Sequence, residues 1–331
     1  MSTATREAAP ISDRPRATFL DYVRIARPDH WTKHSFIVPG IVVAALLRSI
    51  SPLDRLGPIL IGFASAAAVA SANYVLNEWL DASFDAHHPT KADRPLVRTR
   101  MSRTLVFVEY VGLLAFGLGA ARSVSPLFLG ATVAFVVSGW AYNIPPIRTK
   151  DRVYLDVLSE AVNSPIRLTL GWAMIDSTTL PPGSLLLAFW MGGAYLMGVK
   201  RFAEQRTALH EKTDHALKLY RASFQHYTTE SLLLSSFLYA QLAAFFLGVF
   251  LIKYRIEYLL VLPALAGLFT VYLWLGLRQG SPTQAPERLF KSRALITVVG
   301  LVAVGLIALT FVDIPILEKL TRPHFIDLPA R

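Results

Sequence analysis

The chain has 331 residues, 53% of them hydrophobic and 17% charged, and a mean hydropathy of +0.43. A soluble chain of this length could not bury so much apolar surface, so the composition points to the membrane. The formal net charge is +10 and there is no cysteine, which excludes disulfides, a thiol nucleophile and a Cys-ligated metal.

In chain order, residues 1–18 are polar with no apolar run and read as a mobile tail, not a signal peptide. Residues 19–331 read as a single membrane domain. A span needs about 20 apolar residues, and nine stretches are expected to serve: 35–50, 57–80, 105–121, 126–142, 153–174, 184–199, 230–252, 257–277 and 293–312. The fold class is therefore all-α, a nine-helix polytopic bundle. Of the 33 Lys and Arg residues, 24 fall in the N-terminal tail and in the loops after even-numbered spans, and 8 in the other loops and the C-terminal tail. Basic loops stay cytoplasmic, which predicts a cytoplasmic N-terminus and an external C-terminus. The positive charge is then mostly topology, and nucleic acid is not an expected partner.

The second span ends in Asn77-x-x-x-Asp81-x-x-x-Asp85. Residues four apart share one helical face. Like carboxylates there repel, and a hard divalent cation such as Mg²⁺, held by one or two carboxylates plus substrate phosphates, would relieve the repulsion. The run His87-His88-Pro89-x-Lys91-x-x-Arg94-Pro95 follows. Lys91 and Arg94, between two prolines, suit phosphate binding. The two histidines lack further ligands at metal spacing. Arg98, Arg100 and Arg103, a little beyond, read as topology charges.

The fifth span carries Asp156, Glu160, Asn163 and Arg167 at offsets 0, 4, 7 and 11, predicting one polar stripe facing a cavity. Two acidic helix ends could hold metal between them, and Arg167 could meet a phosphate or pair with Glu160. Lys200 and Arg201 close the sixth span as snorkelling anchors or ligand contacts. Arg27, Trp31 and Lys33 precede the first span: Trp31 reads as an interfacial residue, the cations as topology or ligand contacts.

The Asn77/Asp81/Asp85 motif at the end of a second span resembles the first acidic motif of the UbiA-type intramembrane prenyltransferase superfamily, and the resemblance covers about residues 20–312. Finer matches at Arg27-Pro28-x-x-Trp31-x-Lys33, Asp85-x-x-His88-Pro89-x-Lys91-x-x-Arg94-Pro95, Lys200-Arg201-x-Ala203-Glu204 and Tyr227-Thr228 are similar to its decaprenyl-phosphate phosphoribosyltransferase branch. That resemblance implies a bundle with a lipid-accessible cavity and a cytoplasmic-side active site in a bacterial inner membrane. It implies Mg²⁺-dependent transfer of 5-phosphoribose from phosphoribosyl diphosphate to a polyprenyl phosphate. Asp81, Asp85 and Asp156 would be the catalytic acids, Asp81 and Asp85 the metal ligands. Asn77, Lys33, Lys91, Arg94, Glu160, Arg167, Lys200 and Arg201 would bind substrate. Homo-oligomerisation is left open. Glu160 makes a fuller second acidic motif, more typical of prenyl-diphosphate users, so prenyl transfer to a lipophilic acceptor is the alternative. A transporter with a midplane ion site is a third reading, without visible discontinuous-helix repeats.

Overall fold

The computed structural model describes residues 14–86, 92–278, 280–284, 289 and 292–321. Among these, regular structure is helical throughout, apart from one isolated bridge between Arg16 and Arg100. The helices are α1 (Phe19–Ile25), α2 (Val38–Arg48), α3 (Leu56–Asp85), α4 (Pro95–Arg98), α5 (Arg103–Val124), α6 (Pro126–Asn143), α7 (Leu155–Ala161), α8 (Asn163–Ile175), α9 (Gly183–His210), α10 (Asp214–Tyr220), α11 (Thr229–Tyr254), α12 (Leu262–Gly276), α13 (Arg293–Thr310) and α14 (Pro315–Thr321). Short 3₁₀ turns join several of them, the longest being Pro28–Ile37.

Among the described residues, six helical segments are long and apolar enough to cross a membrane: Pro52–Asp85, Arg103–Val124, Pro126–Asn143, Thr229–Tyr254, Ile256–Gly276 and Arg293–Thr310. The other three expected spans also coincide with helix, but each departs from a plain apolar rod. α2 has 11 residues. The fifth stretch is interrupted at Val162 into α7 and α8. α9 runs 28 residues but carries charges through its last third. Six of the nine expected spans therefore meet the length and apolarity of a membrane crossing among the described residues, and the count of nine is not matched on that measure.

With lipid on the outside, packing has to come from close backbone approach rather than from oil-water segregation. The tightest crossing is α2 against α8. A Cβ on Gly171 would lie 2.1 Å from the Ile37 carbonyl oxygen, and one on Gly40 would lie 2.0 Å from that of Leu168. Glycine is what permits the contact. Around it Ile37, Ala44, Val69, Ala121, Phe128, Leu170 and Met174 form the largest buried cluster. A second cluster joins α7, α9, α11 and α12 through Val157, Ala194, Tyr195, Val199 and Tyr239. α13 contributes no buried residue. It is fastened at one end by Arg255, whose guanidinium donates to the carbonyls of Leu309 (2.6 Å) and Val312 (3.0 Å) and to Asp313 (2.9 Å).

α8 ends on Asp176, whose carboxylate accepts from the backbone N–H and hydroxyl of Thr178, the hydroxyl of Thr179, and Nε of Arg48 at 2.8 Å. Burial would raise its pKa, but these donations prevail and hold it below the usual carboxylate range. This knot ties α2 to α8 at the pole opposite the acidic helix ends.

Residues 1–13 of the expected tail lie outside the described residues. Its last part is docked: the Arg100 N–H donates to the Pro15 carbonyl (2.8 Å) and the Ala17 N–H to the Arg100 carbonyl (3.3 Å).

Candidate functional site

α3 continues past its apolar stretch to Asp85, so Asn77, Glu78, Asp81 and Asp85 all stand on its last two turns. Asp81 and Asp85 are buried, and both are matched by cations. Asp85, fully buried, pairs with Arg94, which stands before Pro95 at the start of α4. Asp81 Oδ1 accepts from Arg148 Nη2 at 2.9 Å and from Lys150 Nζ at 2.5 Å. Asn77 donates to Asp81 Oδ2 (3.2 Å) and to the Asn143 amide oxygen (2.5 Å), which also accepts from Lys150 (2.8 Å). In the structure these basic side chains balance the carboxylate charge.

The loop between α6 and α7 delivers Arg148 and Lys150. Arg148 takes a left-handed backbone (φ 25°, ψ 63°) that L side chains rarely adopt, as does Tyr154 (φ 63°). Arg148 also pairs with Asp151 at 2.6 Å. Burial draws the Lys150 pKa down to about 8 against the opposing pull of Asp81.

The second acidic group is built on α7 and α9. Arg201, almost fully buried, reaches Glu160 (2.8 Å), Glu204 (2.7 Å) and Asp156 (3.5 Å). Asp156 further accepts from the hydroxyls of Tyr227 (2.6 Å) and Ser223 (3.1 Å). Arg221, beyond α10, lies 3.6 Å from Asp156 and donates to the Tyr142 hydroxyl (3.1 Å), which donates to Glu160 (3.0 Å). Removing one partner from such a buried ionic set leaves uncompensated charge, typically costing about 3–5 kcal/mol.

The predicted stripe is interrupted at Val162, where α7 gives way to α8: Asp156 and Glu160 stand on α7, Asn163 and Arg167 on α8, and the Arg167 guanidinium still feels the charge of Glu160. Asn163 turns to Ser138, whose hydroxyl donates to its side-chain oxygen (2.9 Å). Arg167 lies over the Phe135 ring, 5.3 Å from its centroid, with Nε unbonded. Glu160 pairs with Arg201, not with Arg167.

Lys33 lies against His30 Nδ1 (3.3 Å) and the Tyr74 hydroxyl (3.5 Å), while Arg27 Nη2 lies 2.9 Å from His30 Nε2. Burial, aided by Lys33 and Arg27, drives the His30 pKa down to about 3, so its ring is neutral between two cations. Trp31, read as an interfacial residue, donates its indole N–H to Ser71 on α3 (3.1 Å). Lys200, on α9, is near enough to Lys33 for their charges to oppose. His87, His88 and Lys91 lie outside the described residues.

The two acidic groups meet at a small pocket lined by Asp81, Arg148, Lys150, Asp151 and Arg221. Arg148, Lys150, Arg221, Tyr142 and Asn143 were not singled out from sequence. The contacts that bring them to the site include partners 66 to 79 residues away along the chain. The available signal was the Arg148-Thr-Lys150-Asp151-Arg152 run beside the fifth span, which reads equally as topology charge.

Among the described residues no three acids or histidines converge to hold a metal ion. The donor chemistry of α3 is nonetheless all oxygen. A hard cation there would take one or two carboxylates and complete its shell from phosphate and water, which is how Mg²⁺ commonly binds.

The UbiA prenyltransferase family model matches residues 36–296. The nodulation protein NoeC of Azorhizobium caulinodans is 26% identical over 187 residues, 56% of this chain and 58% of that protein. The lycopene elongase/hydratase of Haloarcula japonica is 24% identical over 192 residues, 57% and 62% of the two chains. The chain thus spans about three fifths of the length of these two relatives. The decaprenyl-phosphate phosphoribosyltransferase of Mycobacterium tuberculosis is 26% identical over 222 residues, 66% of this chain and 70% of that one. Among solved structures, a UbiA homolog from Archaeoglobus fulgidus bound to GPP and Mg²⁺ shares the fold, with a TM-score of 0.66 and 21% identity over 88% of this chain and 98% of that one.

Proposed function

This chain belongs to the UbiA prenyltransferase family, a membrane transferase family, and from that premise we propose that it moves 5-phosphoribose from phosphoribosyl diphosphate to a polyprenyl phosphate. One observation carries the choice of donor. Both acidic groups are already matched by basic side chains, and Arg167 and Lys200 add further positive charge beside Glu160. Arg94, Arg148 and Lys150 on those carboxylates are basic groups that could turn to substrate anions. A prenyl diphosphate brings one diphosphate, whereas this donor and acceptor bring a diphosphate, a 5-phosphate and a lipid phosphate. The likeness to the mycobacterial phosphoribosyltransferase supports the same reading.

Asp81 and Asp85, with Asn77 beside them, would hold Mg²⁺. When bound, the ion would offset charge on the diphosphate as it leaves. Arg94, Arg148 and Lys150 would grip the same group from the α3 side, and Arg221 from the α7 side. Asp156 and Glu160 would keep Arg221 and Arg201 oriented. The anomeric C1–O bond to diphosphate breaks with its electron pair leaving on oxygen. A lipid phosphate oxygen forms the new C1–O bond. That nucleophile is ionised at neutral pH, so no general base is needed, and positioning plus electrostatics supply the catalysis. Lys33, Arg167, Lys200 and the neighbouring Lys91 would share the remaining phosphates. The site would lie on the cytoplasmic side of the membrane, as the loop charges imply.

The second reading is prenyl transfer to a lipophilic acceptor, favoured by Glu160 and by the GPP-bound neighbour of the same fold. Purified protein given Mg²⁺, polyprenyl phosphate and phosphoribosyl diphosphate should yield polyprenyl phosphoribose by lipid mass spectrometry. No product, together with turnover of a prenyl diphosphate, would select the second reading. Arg94→Ala should raise the apparent KM for the donor about ten- to a hundredfold, the worth of a charge-assisted contact.

A further inference from the structure

The short backbone pairing that docks the tail has an electrostatic cost. It sets Arg16 beside Arg100 in a parallel bridge, and like charges placed opposite each other destabilise such a pair. Among the described residues neither guanidinium has an acidic partner. Both side chains line an open pocket together with Tyr22 and Ser102, which are already joined, the Tyr22 hydroxyl accepting from the Ser102 N–H at 2.9 Å. Arg24, Arg98 and Arg103 stand exposed nearby, and the one acid of α1, Asp21, is taken by Thr18, which donates to it through both N–H and hydroxyl at 2.8 Å, and by Arg24 at 3.9 Å.

The same element is greasy on its outer side. α1 packs inward through Tyr22, Ile25 and Ala26 onto Val75 of α3 and Val106 of α5. Outward it presents Phe19, 80% exposed, with Leu20 at 60% and Val23. Its depth is set by Arg103, the first residue of the membrane-crossing α5, after which Leu105, Phe107 and Val108 are exposed as well. Apolar residues and a fan of arginines therefore share one boundary level.

We propose that the Arg16–Arg100 pocket binds the phosphate headgroup of an anionic phospholipid of the surrounding bilayer, with Phe19, Leu20 and Val23 seated among its neighbours' acyl chains. The lipid phosphate relieves the repulsion between the two arginines, and the tail segment is held down by the bilayer itself. A basic cluster immediately beside a span draws anionic lipid at a strength worth about fivefold in affinity per arginine. The site is separate from the acidic groups on α3 and α7 and does not depend on the proposed reaction.

The test is native mass spectrometry of the delipidated full-length protein in detergent, titrated with phosphatidylglycerol or with phosphatidylcholine of the same chains. The wild type should retain more phosphatidylglycerol. R16Q/R100Q should lose about twenty-five-fold of that preference, while R16K/R100K should keep it. Both arginines pair through backbone groups alone, so these variants leave the dock intact. Equal retention of the two lipids by the wild type would overturn the proposal, and so would an unchanged preference in R16Q/R100Q. Binding of inorganic phosphate alone at the same concentration, lost in R16Q/R100Q, would make the site one for soluble phosphate and would also overturn it.

Discussion

α8 and α13 are both apolar helices, yet they occupy opposite extremes of the bundle. Seven of the thirteen residues of α8 are buried, and Gly171 lets its backbone touch the turn that starts α2. α13 buries none of its eighteen and is secured through Arg255 at one end. The difference lies in what each helix supports. α8 directly follows α7, the carrier of Asp156 and Glu160, so slack in α8 would be felt at the acids. α13 supports no charged group of the site and can face lipid along its length. Hydropathy ranks α13 above α8 as a membrane span, while packing ranks them the other way.

The sharpest way to press that contrast is at the end of α3. Asp81→Ala or Asp85→Ala should lower turnover by about a hundredfold or more, the usual cost of losing one preorganised electrostatic contact. Insertion and monodispersity in detergent should persist. Turnover retained in either variant, or in EDTA, would remove these residues from the proposed centre.

Stability should follow the contrast between the helices themselves. Gly171→Ala forces a Cβ to within 2.1 Å of the Ile37 oxygen and should cost about 1–3 kcal/mol or more. Gly300→Ala on α13, with nothing within 4 Å of its Cβ, should change stability by about 0.5 kcal/mol or less. Thermal unfolding in one detergent compares them directly, and equal melting temperatures would mean that the α2–α8 contact is loose.

A pH-dependent effect belongs to the far pole. Asp176 has a depressed carboxyl pKa, so its contribution is present above the unfolded value near 3.8 and lost as pH falls through the folded one. Asp176→Asn should lower stability by about 1–3 kcal/mol at pH 7, and the gap to wild type should close below about pH 4. A gap unchanged by acid would assign the loss to the amide's geometry rather than to charge.

The apolar stretches were readable because each is a local property, and all nine coincide with helix. The register of α3 was readable for the same reason, since Asn77, Asp81 and Asp85 recur at one turn. The break at Val162 was not, because no proline or glycine marks it: Pro165 comes three residues later, where a new helix tolerates it in its first turn. Arg148, Lys150 and Arg221 were invisible as site residues because loop arginines and lysines carry the topology signal too, and only tertiary folding tells the two uses apart. Arg201, Asp156, Glu160 and Glu204 could each be named from sequence, but not their pairing, which joins two helices.

Arg148 sits in a left-handed backbone conformation that costs a branched side chain about 1–3 kcal/mol and glycine almost nothing. At this position abundance and activity therefore pull in opposite directions. In a library randomised at residue 148 and sorted once for folded protein and once for product, glycine and asparagine should be enriched in the first sort and depleted in the second. Arginine should show the reverse. A position where the best-folding residue differs from the one that gives product is one where a chemical group is kept at a cost to the backbone.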